Sequence, residues 1–289
     1  MKRLHVVPGL DAIGNGISVA AHLIADTAGD DFIEARQFAS GNCDINSHDE
    51  IWVHSCWLPS VLWSCRRVVN AGKPLVCMPH GNLDPVRLRY HALRKRLLGP
   101  FERWALRKAS RVVATCDAES EWIRTYEPRV RQIEIVNLKC FFMLPNSEVG
   151  ALPKDRPLQL LYLGRKHPLK GLEYLEAAVK GIEGVELRVV SNAFGDEKER
   201  VWKWCDVLVL PTLTDNFGLV IAEALERGKR VVTTDGAPAW GEVLTGLTGF
   251  TGLHSGYGGR LIYLKGYRDG TPEERVRLLK DAIEELCQS

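Results

Sequence analysis

The sequence predicts an α/β protein made of two doubly wound parallel-sheet domains facing across a cleft. Short apolar runs alternate with helical patterns, as βαβ units require. A non-periodic stretch with three prolines, FFMLPNSEVGALPKDRP, interrupts that alternation near the middle of the chain and reads as a linker. The length of 289 residues suits two domains of about 100–150 residues, each with its own core.

Taken in order, LHVVPGL is a first strand followed by the helical pattern GISVAAHLIADTA, and IWVHSCW leads into PSVLWSCRRVVNAG. LVCMPHG precedes a long basic segment, RVVATC precedes AESEWIRTY, and QIEIVNL closes the first half. After the linker come LQLLYLG, GLEYLEAAVKG, VELRVVS, DEKERVWKWC, DVLVLPT, FGLVIAEALERG and KRVVTTD, again strand and helix in turn. The expected boundaries are residues 1–145 for the first domain, 146–157 for the linker, 158–270 for the second domain and 271–289 for a C-terminal helix. In that last helix Thr271 and Glu274 have capping-box spacing and Pro272 takes the first helical position. The helix is expected to be free to pack back on the first domain.

Composition narrows the function classes. Lys and Arg number 38 against 36 Asp and Glu, a net charge of +2, so no global field argues for a nucleic-acid partner. The eight cysteines form no CxxC pair and mostly sit in apolar runs, which favours reduced, buried thiols in a cytoplasmic protein. The first apolar run is short and broken by Pro8, which reads as a strand rather than a secretion signal. No run of 18 apolar residues occurs, so no transmembrane helix is expected.

Ligands of doubly wound sheets bind beyond the carboxyl ends of the strands, so the residues just after each strand are the candidates. After LQLLYLG, the loop GRKHPLKG carries Arg165, Lys166 and Lys170 ahead of a helix. Cations near a helix N-terminus suit an anion, although the loop alone fits a solvated basic turn equally well. After DVLVLPT, the stretch TDNFGLVIAEALERG places Asp215 in a loop and Glu223 on the following helix, which Phe217, Gly218 and Leu219 begin. A glycine there allows a phosphate to approach the backbone. Glu223 offers two acceptor oxygens for the hydroxyls of a ribose, yet by itself it reads as an ordinary exposed helix charge. The loop IGNGIS, with Gly14 and Gly16, opens the first helix but lacks the last position of a dinucleotide fingerprint. His80 ends a strand beside Gly81, a position that either a structural or a site histidine can take.

Together YLGRKHPLKG, the block DVLVLPTLTDNFGLVIAEALERGKRVVTTDGAPAWGE and, more weakly, PHGNLDP and the N-terminal glycine loop resemble the retaining GT-B glycosyltransferases. Within these, the likeness is to the family-four grouping that builds bacterial polysaccharides and lipopolysaccharide cores. The resemblance implies two Rossmann-like domains, an acceptor-binding one and a donor-binding one, and transfer of a sugar from a nucleotide-sugar donor with retention at the anomeric carbon. Arg165 and Lys170 would hold the donor diphosphate and Glu223 the ribose. Asp215, one methylene shorter than the commoner Glu, would contact the transferred sugar. Asn216, Phe217, Gly218 and Leu219 would present backbone amides, His80 would lie by the reacting sugar, and Gly16 would line the donor side. The departing diphosphate would take the proton, with no cofactor and no metal.

The segment from Arg87 to Arg111 carries many cations, a single acid, Glu102, and an interleaved apolar set of Tyr90, Leu93, Leu97, Phe101 and Trp104. Such a segment suits an anionic membrane surface, where lipid-linked acceptors reside, and hence a peripheral location on the inner face of the cytoplasmic membrane. It equally suits a stripe packed on the sheet with solvated charges, and Pro100 is expected to interrupt any single long helix. Two other classes stay open. One is an NAD-type oxidoreductase using the Gly14 and Gly16 loop; the other is a non-catalytic nucleotide-sugar-binding subunit of a membrane-associated complex.

Overall fold

The computed structural model describes residues 1–10, 16–25, 29–144, 151–191, 193–241, 253–256 and 260–288. It divides into two units, Met1–Leu138 and Lys139–Ser289.

The first unit runs β1 (Arg3–Val7), α1 (Gly16–Ala25), β2 (Asp31–Glu34), α2 (Ala35–Ala39), β3 (Glu50–His54), α3 (Pro59–Asn70), β4 (Leu75–Met78), α4 (Pro85–Arg89), α5 (Ala92–Lys108), β5 (Arg111–Ala114), α6 (Asp117–Tyr126) and β6 (Ile133–Ile135). Its strands lie in the order β2-β1-β3-β4-β5-β6, all parallel. Because successive strand residues point to opposite faces, the sheet has two different sides. One carries Leu4, Val6, Ile51, Val53, Leu75, Cys77, Val112 and Ala114 into a single apolar cluster. The other face carries His5, Trp52 and His54, all buried.

Pro100 does not interrupt α5, which is continuous from Ala92 to Lys108. The clash that bars helical backbone before a proline involves the Cβ of the preceding residue, and that residue is Gly99. Burial of Ala105 and Leu106 helps offset the missing hydrogen bond. The break comes earlier, at His91, whose φ of 53° separates α4 from α5.

The second unit runs β7 (Leu158–Leu163), α7 (Leu172–Val179), β8 (Val185–Val190), α8 (Gly195–Trp204), β9 (Val207–Leu210), α9 (Leu219–Glu226), β10 (Arg230–Thr234), α10 (Pro238–Gly241), β11 (Leu253–Gly256), β12 (Leu261–Leu264) and α11 (Pro272–Gln288). The strand order is β11-β12-β10-β9-β7-β8, with β11 antiparallel to β12 at the edge and the other pairings parallel.

The capping box of α11 forms: the Thr271 N–H donates to Glu274 Oε2 at 2.7 Å and the Glu274 N–H to Thr271 Oγ1 at 3.3 Å. Leu279, Ala282, Ile283 and Leu286 are buried in one cluster with Leu158, Leu172 and Leu175, so α11 packs beside α7 in its own unit. Each large aliphatic buried there contributes about 1.5–3 kcal/mol, which fixes the helix to that sheet. All eight cysteines are free, five of them buried, while Cys140 and Cys287 are exposed.

Candidate active site

In the second sheet β7 lies between β8 and β9. The chain leaves β7 toward one neighbour and leaves β9 toward the other side, which makes the β7/β9 boundary a topological switch point. Open α/β sheets bind ligands at the carboxyl ends of the strands there. The loops that follow these two strands are GRKHPLKG and the segment from Pro211 to Gly218.

Backbone contacts lock the two loops together. The carbonyl of Leu169 accepts the Leu213 N–H at 2.9 Å and the Thr212 hydroxyl at 3.1 Å. Gly171, at φ 64°, sits so close to Pro211 that a Cβ would lie 2.1 Å from its carbonyl oxygen. A third loop joins from β10, where Gly236 accepts the Asp215 N–H at 2.7 Å and leaves no room for a Cβ, which would meet the Thr212 carbonyl oxygen at 2.0 Å. Thr234 adds a hydroxyl bond to the Thr212 carbonyl. Only glycine fits at either crossing.

On this frame Lys170 and Asp215 form an ion pair, with side chains 15% and 19% exposed. Arg165 is exposed, and its guanidinium makes no hydrogen bond or ion pair among the described residues; its carbonyl accepts the Tyr162 hydroxyl at 2.9 Å. Burial and the nearby Asp215 push that phenol up to about 12, so it stays a donor at neutral pH. Phe217 is buried against Trp240, ring centroids 5.1 Å apart, and the Trp240 indole donates to the Phe217 carbonyl. Gly218, at φ 66° and ψ 64°, then turns the chain into α9, whose first turn has neither a side-chain cap nor an acidic residue. The partial positive charge of that helix end is therefore not met by an acid of its own first turn. Asn216 is buried beside it and gives its N–H to Asp215 Oδ1 at 2.9 Å.

Glu223 lies one turn into α9, where both of its oxygens meet the Lys198 ammonium, at 2.7 and 2.8 Å. Sequence reasoning missed Lys198 because DEKERVWKWC reads as a solvated helix, and the partnership exists only once α8 and α9 are side by side. It also missed Gly236, whose signal was its place directly after the strand KRVVTTD. Arg165, Lys170, the segment from Asp215 to Leu219 and Glu223 thus all belong to the second unit.

In the first unit, His80 follows β4 with φ 55° and is buried. The turn is held by Glu119, which accepts the Gly81 N–H at 2.5 Å and the Thr115 N–H and hydroxyl at 2.8 Å each. Burial raises the Glu119 carboxyl, against the pull of those bonds. His80 Nε2 meets His54 Nδ1 at 2.8 Å, and burial, followed by the charge of Arg87, lowers its imidazole to about 3. Gly16 is exposed at the start of α1; Gly14 lies outside the described residues.

Residues 45–138 match a family model described as a glycosyl transferase 4-like domain, and residues 147–253 match one described as glycosyl transferases group 1. No curated protein matches the chain. Among solved structures it is similar to sucrose-phosphate synthase from Thermosynechococcus elongatus, with 15% identity, a TM-score of 0.70 and coverage of 100% of this chain and 90% of that one. It is similar to HepE of Anabaena in complex with UDP and glucose, with 16% identity, a TM-score of 0.66 and coverage of 98% and 90%. It is also similar to the lipopolysaccharide outer core galactosyltransferase WaaB, with 14% identity, a TM-score of 0.59 and coverage of 99% and 91%. At these identities the likeness is one of fold.

Proposed function

We propose that this chain, a glycosyltransferase of the GT-B fold by its two domain matches and its architecture, moves a sugar from a nucleotide-sugar donor to a glycan or lipid-linked hydroxyl. We further propose retention of the anomeric configuration and a role in cell-surface polysaccharide or lipopolysaccharide synthesis. The observation that carries the reading is the pair of interlocked loops at the second sheet's switch point. They set Lys170, which shares its loop with Arg165, next to the mouth of a helix without a first-turn acid, with a carboxylate one turn further along that helix.

In this reading the donor diphosphate takes over Lys170 from Asp215, joined by Arg165 and the amides of residues 216–219. Asp215 is then released toward the transferred sugar. Glu223 exchanges Lys198 for the ribose hydroxyls; Gly16 is assigned to the donor and His80 to a sugar hydroxyl. The acceptor oxygen bonds to the anomeric carbon as the bond to the diphosphate oxygen breaks, and the proton passes to the departing diphosphate. Cations and helix amides aimed at that developing charge supply the stabilisation, and no metal takes part.

Product analysis tests this. The chain is incubated with single nucleotide sugars, and the anomeric coupling of the product is read by NMR. Retained configuration, unaffected by EDTA and lost in Lys170→Met and Glu223→Gln, is expected. Unchanged transfer by those variants overturns the site, and an inverted product overturns the mechanism.

An anionic bilayer is the proposed second partner. On α5, Leu93, Leu97 and Phe101 recur every fourth residue and are 75%, 67% and 61% exposed. Arg94, Arg96, Arg103 and Lys108 on the same helix and Arg89 on α4 are also exposed, and the segment's acid, Glu102, is turned into the core. Exposed apolar side chains on a cation-rich helix suit an anionic headgroup layer, each cation adding about 1 kcal/mol near the surface. Co-sedimentation with phosphatidylglycerol vesicles, weakened in Leu97→Glu/Phe101→Glu and absent with phosphatidylcholine, is expected. Equal recovery with both lipids overturns the idea.

A further inference from the structure

Beneath His80 the first unit holds a continuous file of buried polar groups. His80 Nε2 lies 2.8 Å from His54 Nδ1, and His54 Nε2 lies 2.9 Å from His5 Nδ1. His5 Nε2 lies 3.2 Å from Asp30 Oδ2, which Arg3 Nε also holds at 2.8 Å. His5, His54 and Trp52 project from the same sheet face, and His5 stacks between Phe32 and Trp52 with centroids 5.2 and 5.3 Å away. Three imidazoles in series, two on one sheet face and His80 in the loop after β4, carry hydrogen-bond demands that aliphatic residues filling the same space would not.

The file has a direction. A neutral imidazole has one donor and one acceptor nitrogen, and the rings are neutral: burial holds His54 well below its usual range and His5 at about 4. Asp30, paired with Arg3, is a carboxylate and can only accept. His5 must therefore donate from Nε2, which leaves its Nδ1 to accept from His54 Nε2–H. The same logic makes His54 Nδ1 accept from His80 Nε2–H. Among the described residues this is the one hydrogen bond of the His80 ring, and Arg87 is the charged group whose field reaches it.

We propose that Asp30, His5 and His54 are positioning residues that fix His80 as the Nε2–H tautomer and so present its Nδ1 as a hydrogen-bond acceptor for a ligand hydroxyl. The identity of that hydroxyl, on a sugar, rests on the proposed function; the orientation of the file does not.

Nitrogen NMR of histidine-labelled full-length protein reads it directly. In the wild type, His80 is expected to show a pyridine-like Nδ1 and a pyrrole-like Nε2, with scalar coupling across the hydrogen bond to His54 Nδ1. In Asp30→Asn the amide can donate to His5 Nε2, which reverses every bond and moves the His80 proton to Nδ1. With the best nucleotide-sugar donor, kcat/KM per folded molecule of Asp30→Asn is expected to fall about 10- to 100-fold, because a ligand hydroxyl then faces a donor. A wild-type His80 protonated at Nδ1 overturns the proposal, and that spectrum decides the matter if the variant does not fold. An unchanged His80 tautomer in Asp30→Asn overturns it too. If no nucleotide sugar binds yet the tautomers are as described, the transferase reading fails and the relay stands; normal transfer with the opposite tautomer is the reverse case.

Discussion

Gly171→Ala is the sharpest structural test of the donor loop. Two costs act at this position. A residue with a Cβ at φ 64° pays about 1–2 kcal/mol for left-handed backbone. Its Cβ would also lie 2.1 Å from the Pro211 carbonyl oxygen, well inside any real contact, so one loop must move by about 1 Å, and overpacking of this kind adds about 1–3 kcal/mol. Gly181→Ala is the control, because Gly181 has φ 81° and nothing within 4 Å of the added Cβ. Urea unfolding should give about 1–2 kcal/mol for Gly181→Ala and about 2–5 kcal/mol for Gly171→Ala. Displacement by about 1 Å of groups that align substrate can cost on the order of 100-fold, so kcat/KM should collapse in Gly171→Ala and persist in Gly181→Ala. Equal destabilisation by the two variants, with activity intact in both, would refute the claim that the loops are locked at this crossing.

In the absence of ligand, a double-mutant cycle on Lys170→Met and Asp215→Asn should give a coupling of about 1–2 kcal/mol, between the values for exposed and buried pairs. Asp215→Asn alone should bind free nucleoside diphosphate several-fold more tightly while losing transfer, as calorimetry and product analysis can check. Stability should fall as pH drops below the ordinary histidine range. His5 and His80 are depressed to about 4 and about 3 in the fold, so their contribution is complete above about 6.5 and is lost toward those values, at about 1.4 kcal/mol per pH unit for each proton taken up on unfolding. Glu102 acts with the opposite sign: burial raises it to about 7 from 4.5, so its contribution is present below 4.5 and lost as pH rises to 7. Glu102→Gln should therefore steepen the acid-side slope of urea midpoints and remove the loss above pH 4.5; an unchanged profile contradicts the burial of that acid.

Much of this was legible because it is local in sequence. Apolar runs such as LQLLYLG and DVLVLPT announce buried strands, and the cations of GRKHPLKG and the glycine of NFGL sit beside the strand ends that place them. β2, with two acids in DFIE, lacks the apolar run of a central strand and was missed, as were β11 and β12 among glycine-rich segments. Pro100 reads as a helix break, yet Gly99 before it has no Cβ to meet the proline ring, and α5 runs through it. The partners of the two acids, Lys170 for Asp215 and Lys198 for Glu223, are products of tertiary packing that no local pattern encodes. The histidine file needed strand register: His5 and His54 are ordinary residues of apolar runs until β1 and β3 pair and their alternation turns both rings to one face.

The central claim is that the second unit's switch-point loops bind a nucleoside diphosphate. Its most direct measurement is a calorimetric titration of the wild type and of Glu223→Ala with UDP, GDP, ADP and NAD. One nucleoside diphosphate is expected to bind the wild type and NAD is not, and Glu223→Ala is expected to weaken the binding about tenfold or more while its unfolding midpoint is unchanged. Binding of NAD in preference to every diphosphate, or equal affinity in the variant, would contradict it.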